Sequence, residues 1–292
     1  MKNSNRFLRK LVGPYALWMT LFIVLPIILV FWYAITPLKI LNEQTISIQF
    51  TLEHFDKITK NYEFIIVFYN SFKLALLATV FTLLFGYPVA LYIANLKGTL
   101  RNLILLLLII PMWTNMLLRT YAWTYLIESN GIINNFIDRL NDILPFALPH
   151  LNIINTHAAV VLGMVYNYLP FMILPIYAVL VKLDKDILNA AYDLGASKFQ
   201  AFLKITLPLS VSGIVSGILM VFLPAATSFI IPQYLGGNKV SLIGNVIESY
   251  FKGMAYNPNF GSALAIVLMI IIYFITSLLS SKDREGKGES LW

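Results

Sequence analysis

Few residues of this sequence carry side chains suited to chemistry, and the most telling ones stand in apolar surroundings. Lys73 and Arg119 lie inside long hydrophobic runs. Ionisable groups at such places are costly and usually functional. No Asp or Glu occurs deep in any of these runs; Glu128 sits at the end of one and Glu248 in the segment before another. The three histidines, His54, His150 and His157, are scattered, and no His-Glu-x-x-His pairs a metal with a general base. Cysteine is absent, which excludes disulfides and thiolate metal sites. Tyr192–Asp193 matches half of an intramembrane aspartyl protease pattern, but no Gly-x-Gly-Asp supplies the second carboxylate. No Gly-x-x-x-x-Gly-Lys-Ser/Thr loop is present to cradle phosphates. The nearest string, Gly236–Gly237–Asn238–Lys239, has the wrong spacing. The expectation is a chain with no catalytic residue and no metal site, hence not an enzyme.

The runs around these residues read as membrane spans. Of 292 residues 59% are hydrophobic and only 12% charged, with a mean hydropathy of +0.76. Globular domains carry about 25% charged residues, so a soluble fold could not cover itself, and disorder is excluded more firmly still. About 20 apolar residues are needed to cross a hydrocarbon core of about 30 Å. Six stretches qualify, at 12–36, 65–95, 102–127, 157–181, 206–231 and 259–280. They are unbroken, as in Leu103 to Ile110 and Ala263 to Ile272, and do not alternate as barrel strands would. The fold class is therefore an all-α integral membrane protein, with residues 1–292 forming a single transmembrane domain. The first stretch follows Lys2, Arg6, Arg9 and Lys10 but is too long for a signal-peptide core. No small-x-small cleavage site follows it, so it reads as a retained anchor.

The net charge of +7 is sorted by side. With the N-terminus placed inside, the segments 1–11, 96–101, 182–205 and 281–292 hold 13 of the 21 Lys and Arg. The longer outside segments 37–64, 128–156 and 232–258 hold 6. The positive-inside rule thus puts both termini in the cytoplasm, and the basic balance needs no nucleic acid. Five spans contain proline, and Gly86–Tyr87–Pro88 is the best hinge candidate. Gly213 and Gly217 form a GxxxG, a face for close helix packing within the chain or against a partner. In the outside segment 128–156, Gly131 to Phe136 suggests a short interfacial helix. The tail from Lys282 to Trp292 reads as a short solvated end.

The inside segment 182–205 is far longer than a connection of two to eight residues needs to be. Leu183, Ile187, Ala190, Ala191 and Leu194 fall at helical spacing, with Asp184 and Asp186 near the start, where the dipole favours them. Gly195 ends that run, and Phe199, Phe202, Leu203 and Ile205 mark a second one before Pro208. Two short helices at an angle on the cytoplasmic face are expected. Residues alone leave an amphipathic loop on lipid headgroups as an equal alternative.

The string Asn189–Ala190–Ala191–Tyr192–Asp193–Leu194–Gly195–Ala196–Ser197–Lys198–Phe199, with Phe202 to Pro208 behind it, resembles the "EAA" loop of binding-protein-dependent ABC importer permeases. That pattern reads Glu-Ala-Ala, three residues, Gly-Ala, an aromatic, then Ile-x-Leu-Pro; here Asn189 replaces the glutamate. The resemblance extends to spermidine/putrescine permeases of the B type. It runs through Arg119–Thr120–Tyr121–Ala122–Trp123, Leu223–Pro224–Ala225–Ala226, Leu235–Gly236–Gly237, Leu242 to Ile247 and Phe260–Gly261–Ser262–Ala263.

Such a resemblance implies a type I importer in the plasma membrane. Its partners would be a second permease subunit, two ATPase subunits and an extracytoplasmic binding protein, with ATP and magnesium on the ATPases and no cofactor on this chain. It makes Asn189, Ala190, Ala191, Asp193, Leu194, Gly195, Ala196, Phe199, Phe202 and Pro208 the ATPase-coupling residues. A polyamine leaving water needs carboxylates or aromatic faces. Glu128 and Glu248 are candidates for the first, and Trp113, Tyr121, Trp123, Tyr166, Tyr168 and Tyr250 for the second. Lys73 and Arg119 should then point away from a cation pathway. A permease for another small solute, or a stand-alone secondary transporter, is the competing reading. The latter would leave the patterned cytoplasmic segment without a purpose.

Overall fold

A computed structural model describes residues 12–36, 38–42, 45–48, 50–253 and 256–288. Lys2, Arg6, Arg9 and Lys10, used in the orientation argument, lie outside them. In chain order the elements are α1 (Val12–Ile35), a ribbon of β1 (Leu38–Asn42) and β2 (Thr45–Ile48), α2 (Glu53–Lys60), α3 (Tyr62–Asn95), α4 (Gly98–Trp113), α5 (Met116–Ile127) and α6 (Ile132–Asn141). They continue with α7 (His157–Leu180), α8 (Lys185–Asp193), α9 (Lys198–Leu209), α10 (Val211–Ala226), α11 (Ile230–Leu235), α12 (Ile243–Lys252) and α13 (Pro258–Gly288).

The helical class expected from the sequence is what folds. The small addition is the antiparallel ribbon, with Leu38 opposite Ile48 and Ile40 opposite Ile46, where Thr45–Ile46–Ser47–Ile48 alternates at the strand period. Four helices are long and apolar enough to cross a bilayer: α1, α3, α7 and the Pro258–Leu279 part of α13. Two further spans are bent pairs, giving six when each pair counts once. The stretch 102–127 is divided between α4 and α5, and a 95° bend separates α4 from the chain that follows. Pro111 lies in the last turn of α4, which ends at Trp113, and Asn115 opens α5 by accepting from Leu117 N at 2.8 Å. The stretch 206–231 takes in the end of α9, a 63° bend at Ser210, α10, and a break at 227–229 before α11. The tail from Lys282 continues α13 as far as Gly288.

The chain forms two compact units. The first holds the described residues up to Ile65 together with Val246–Ile272; the second holds Ile66–Asn245 with the described residues from Tyr273. In the first unit, α1 is exposed along nearly its whole length, as a helix facing lipid would be. Its C-terminal end is tied by Asn259 Nδ2 donating to Tyr33 O at 2.9 Å.

In the second unit the core is built on α7, flanked by α3 and α10. The GxxxG packs inside the chain. A Cβ at Gly213 would come within 3.0 Å of Ile176 Cα and Pro175 O, and one at Gly217 within 2.6 Å of Met172 Sδ. α3 runs unbroken through the hinge candidate Gly86–Tyr87–Pro88, and the missing Cβ of Gly86 makes room for Met172 Cγ, 3.1 Å from where that Cβ would stand. Met172, fully buried, fills the space between two glycine notches, a role its flexible thioether suits. α12 starts against the break after α10. Ile243 N donates to Ser71 Oγ at 2.8 Å, Asn245 Nδ2 donates to Phe229 O at 2.7 Å, and a Cβ at Gly244 would sit 2.6 Å from Ser228 O.

These contacts separate two kinds of glycine substitution. Overpacking at either site should cost about 1–3 kcal/mol. At 217 the nearest obstacle is a side chain; at 213 it is backbone. In thermal unfolding of the detergent-solubilised chain, the cost of Gly217→Ala should therefore shrink in a Met172→Ala background, while that of Gly213→Ala should not. Equal coupling at both sites would contradict this packing.

Candidate functional site

The segment between α7 and α10 folds into two short helices, as its sequence pattern requires. Asp184 caps α8, its side chain accepting from Asp186 N at 2.9 Å. α8 ends in a paired turn: Gly195 N donates to Tyr192 O at 2.9 Å and Ala196 N to Ala191 O at 3.0 Å, with Gly195 at φ 86°. That left-handed conformation is the reason for glycine here. Ser197 and Gln200 then form a reciprocal capping box that starts α9. The result presents Leu194, 89% exposed, and Phe199, 69% exposed, as apolar knobs. Asn189, Ala190, Asp193 and Pro208 are also exposed, while Ala191 and Ala196 are half-buried.

The opposite side of this segment is its seat. Phe202 stands edge-on to Tyr87 of α3, ring centres 5.8 Å apart. The Tyr87 hydroxyl lies 2.9 Å from Ser210 Oγ, which donates to Leu207 O at 2.9 Å. Ala201, Thr206 and Ser210 are buried. Phe202, expected among the coupling residues, is thus an anchor. Tyr87 and Ser210 were not expected as functional residues. Their signal was a hydroxyl inside an apolar run, which marks a buried hydrogen bond without naming its partner.

The aromatic candidates of the second unit fall into pairs. Trp123 of α5 meets Tyr166 of α7 at 5.2 Å between ring centres, and Tyr121 meets Tyr234 of α11 at 6.1 Å. Tyr168, buried, donates to Pro224 O at 3.2 Å and so belongs to packing. Trp113, 87% exposed, ends α4. Glu128 caps the end of α5, its side chain exposed and its carbonyl accepting from Gly131 N at 2.8 Å and Asn134 Nδ2 at 3.1 Å. Asn134 also exchanges two bonds with Leu151, fixing the expected short helix α6 against the rest of its loop. Lys73 is exposed on α3 with its Nζ 5.9 Å over the Tyr69 ring. Arg119 is half-buried, and its Nε has no hydrogen-bond partner.

Glu248 and Tyr250 belong to the first unit, on α12. Tyr250 packs on Phe260 at 4.9 Å, and Phe64 and His54 reach the same ring at 5.2 and 5.9 Å. These residues line a cavity of about 630 Å³ whose other wall is α2. The α2 charges are closed into two ion pairs, Glu53–Lys57 at 2.8 Å and Asp56–Lys60 at 2.7 Å. His54 is 8% exposed, and neither ring nitrogen has a hydrogen-bond partner. Burial first, and then the Lys57 ammonium, hold it below its ordinary 6.5, with the Glu53 carboxylate pulling the other way.

A family model described as binding-protein-dependent transport system inner membrane component matches residues 84–281. The chain belongs to that family. As a multi-pass inner membrane permease it is 38% identical over 288 residues to the spermidine/putrescine transport system permease protein PotB of Salmonella typhimurium, covering 97% of this chain and 98% of that one. The PotB of Escherichia coli is 38% identical over 92% of this chain and 97% of its own. Among solved structures, the permease superimposes on a chain of a bacterial ABC transporter involved in import of the acidic polysaccharide alginate. The TM-score is 0.77 at 16% identity, over 97% of this chain and 96% of that one, a likeness of fold.

The buried, unpartnered imidazole gives the permease a pH dependence with a definite sign. His54 is neutral when folded and binds a proton more readily when unfolded. Its contribution to stability is therefore full above 6.5 and is lost as pH falls from there through the lower folded value. Thermal unfolding of the purified chain should show stability declining as pH drops below 6.5, with a shallower decline in His54→Phe. An unchanged slope in the variant would place the acid sensitivity elsewhere.

Proposed function

We propose that this permease is one of two membrane subunits of an ATP-driven importer of polyamines, working with an extracytoplasmic binding protein and two ATPase subunits. The observation that carries this reading is 38% identity spread over nearly the full length of both chains with a spermidine/putrescine permease. Sidedness follows from the charge count, with α8 and α9 cytoplasmic, both termini inside, and α2 and α6 outside. ATP and magnesium belong to the partner subunits, and this chain performs no catalysis.

In this reading α8 and α9 dock into a groove on an ATPase. Leu194 and Phe199 are the surface that such a groove would cover, each contributing about 1.5–3 kcal/mol when fully buried. Tyr87, Phe202 and Ser210 fix the other side, so that closure of the ATPase pair moves the seat and not merely the knobs. Nucleotide must favour one packing of the helices over the other for any movement to follow. Glu128, Glu248 and the rings of Trp113, Tyr121, Trp123, Tyr166 and Tyr250 serve the passage of the cation. Lys73, turned outward over Tyr69, leaves that passage free of its charge. The second reading, a small anionic solute on the same machinery, is favoured by one observation: Arg119 keeps a half-buried guanidinium with an unpartnered Nε.

Uptake of labelled spermidine and putrescine into cells lacking this chain, with and without its restoration, separates the two readings. Restored uptake that only polyamines block supports the first. No change, with the chain and its partners confirmed in the membrane, overturns it. Gly195→Asp should abolish transport while leaving membrane insertion intact. A Cβ there meets nothing within 4 Å, and the harm comes from φ 86° and the altered turn. Loss of insertion in that variant would assign the glycine to folding instead of coupling.

A further inference from the structure

A second cavity, of about 410 Å³, lies under α8 and α9. Its walls are the last turn of α3, the end of α7, and the inward side of the two short helices. Both α3 and α7 stop there, at Asn95 and Leu180, so the cavity sits at the ends of two apolar helices, which in the topology proposed above is the cytoplasmic membrane surface. Its polar lining has one sign: Lys185 and Lys198 face it, and no Asp or Glu does. Among the described residues neither lysine takes part in an ion pair. Asn189 also lines it, where the family pattern has a glutamate that would place a carboxylate beside the two ammonium groups. The rest of the wall is apolar, with Leu91, Leu188 and Phe202.

We propose that this cavity binds the phosphate of an anionic glycerophospholipid, with the lysines on the phosphate and the leucines against the glycerol and first methylenes. Basic pockets between helices at the membrane surface favour such headgroups. The apolar wall separates a lipid from a free phosphate, which would have no use for it. The site is independent of which solute is carried and of which ATPase docks. It would couple the coupling segment's position to the lipid around it, because the same helices form the roof of the cavity and carry Leu194 and Phe199.

The test is lipid retention by the full-length chain in native mass spectrometry, after exchange into detergent with phosphatidylglycerol or phosphatidylcholine. The wild-type chain should retain phosphatidylglycerol in preference. Removing charge should weaken retention about fivefold for Lys185→Gln or Lys198→Gln and about thirtyfold for both together. Asn189→Glu, at an exposed surface residue, should cost about fivefold as well and stands in if the double variant fails to fold. Lys182→Gln with Lys204→Gln, outside the cavity, should change nothing. Equal retention of both lipids, or full retention in the Lys185 and Lys198 variants, overturns the proposal. Displacement of the lipid by inorganic phosphate alone overturns the lipid as occupant and leaves a soluble phosphate in its place.

Discussion

In hydrocarbon, every backbone amide and carbonyl must find its partner inside the protein. This permease interrupts its helices at 114–115, at 210 and at 227–229, and each interruption is closed by a side chain. Asn115 takes the amide freed at the start of α5, Asn245 supplies Phe229 O, and Ser71 accepts from Ile243 N while donating to Val67 O at 2.7 Å. Thr227 Oγ1 returns to Leu223 O at 3.0 Å at the end of α10. At these breaks a Ser, Thr or Asn side chain takes up a freed backbone group.

Close packing supplies the second condition. Gly86, Gly213 and Gly217 let α3 and α10 approach α7, with Met172 between them. α10 is the continuation, past a bend, of α9. The helix that holds the coupling segment is therefore joined by Ser210 to the helix that carries both close-packing glycines. In the proposed transport cycle, a displacement of α9 reaches the core through Ser210, where Tyr87 of α3 meets it, and through Phe202, which packs on the same Tyr87 ring.

Much of this was legible in the sequence. The apolar stretches, the two short helices between α7 and α10, the break at Gly195 and the short helix of the 128–156 loop all follow from apolar periodicity and capping residues. Bends were less legible. Pro111 and Pro88 look alike in sequence, yet α4 ends just beyond the first and α3 continues through the second. The difference is not written in the local sequence: α3 continues against α7, where Gly86 lies close to Met172. Phe199 and Phe202, three residues apart, were assigned one role and have two. One turns out to solvent and the other in to Tyr87, a division that depends on α3, more than a hundred residues earlier. The pairing of Trp123 with Tyr166 was likewise invisible, since periodicity gives a face but not the ring that meets it.

The bond between Ile243 N and Ser71 Oγ spans 172 residues of sequence. Chains emerge from the ribosome at about 5–20 residues per second, so Ser71 enters the membrane on the order of ten seconds or more before its acceptor role can be used. Over that interval its hydroxyl is satisfied by Val67 O alone, a local bond needing nothing yet unmade. The residue therefore costs little while it waits for its later partner. The segment from Ile243 is then received by an acceptor that was in place early.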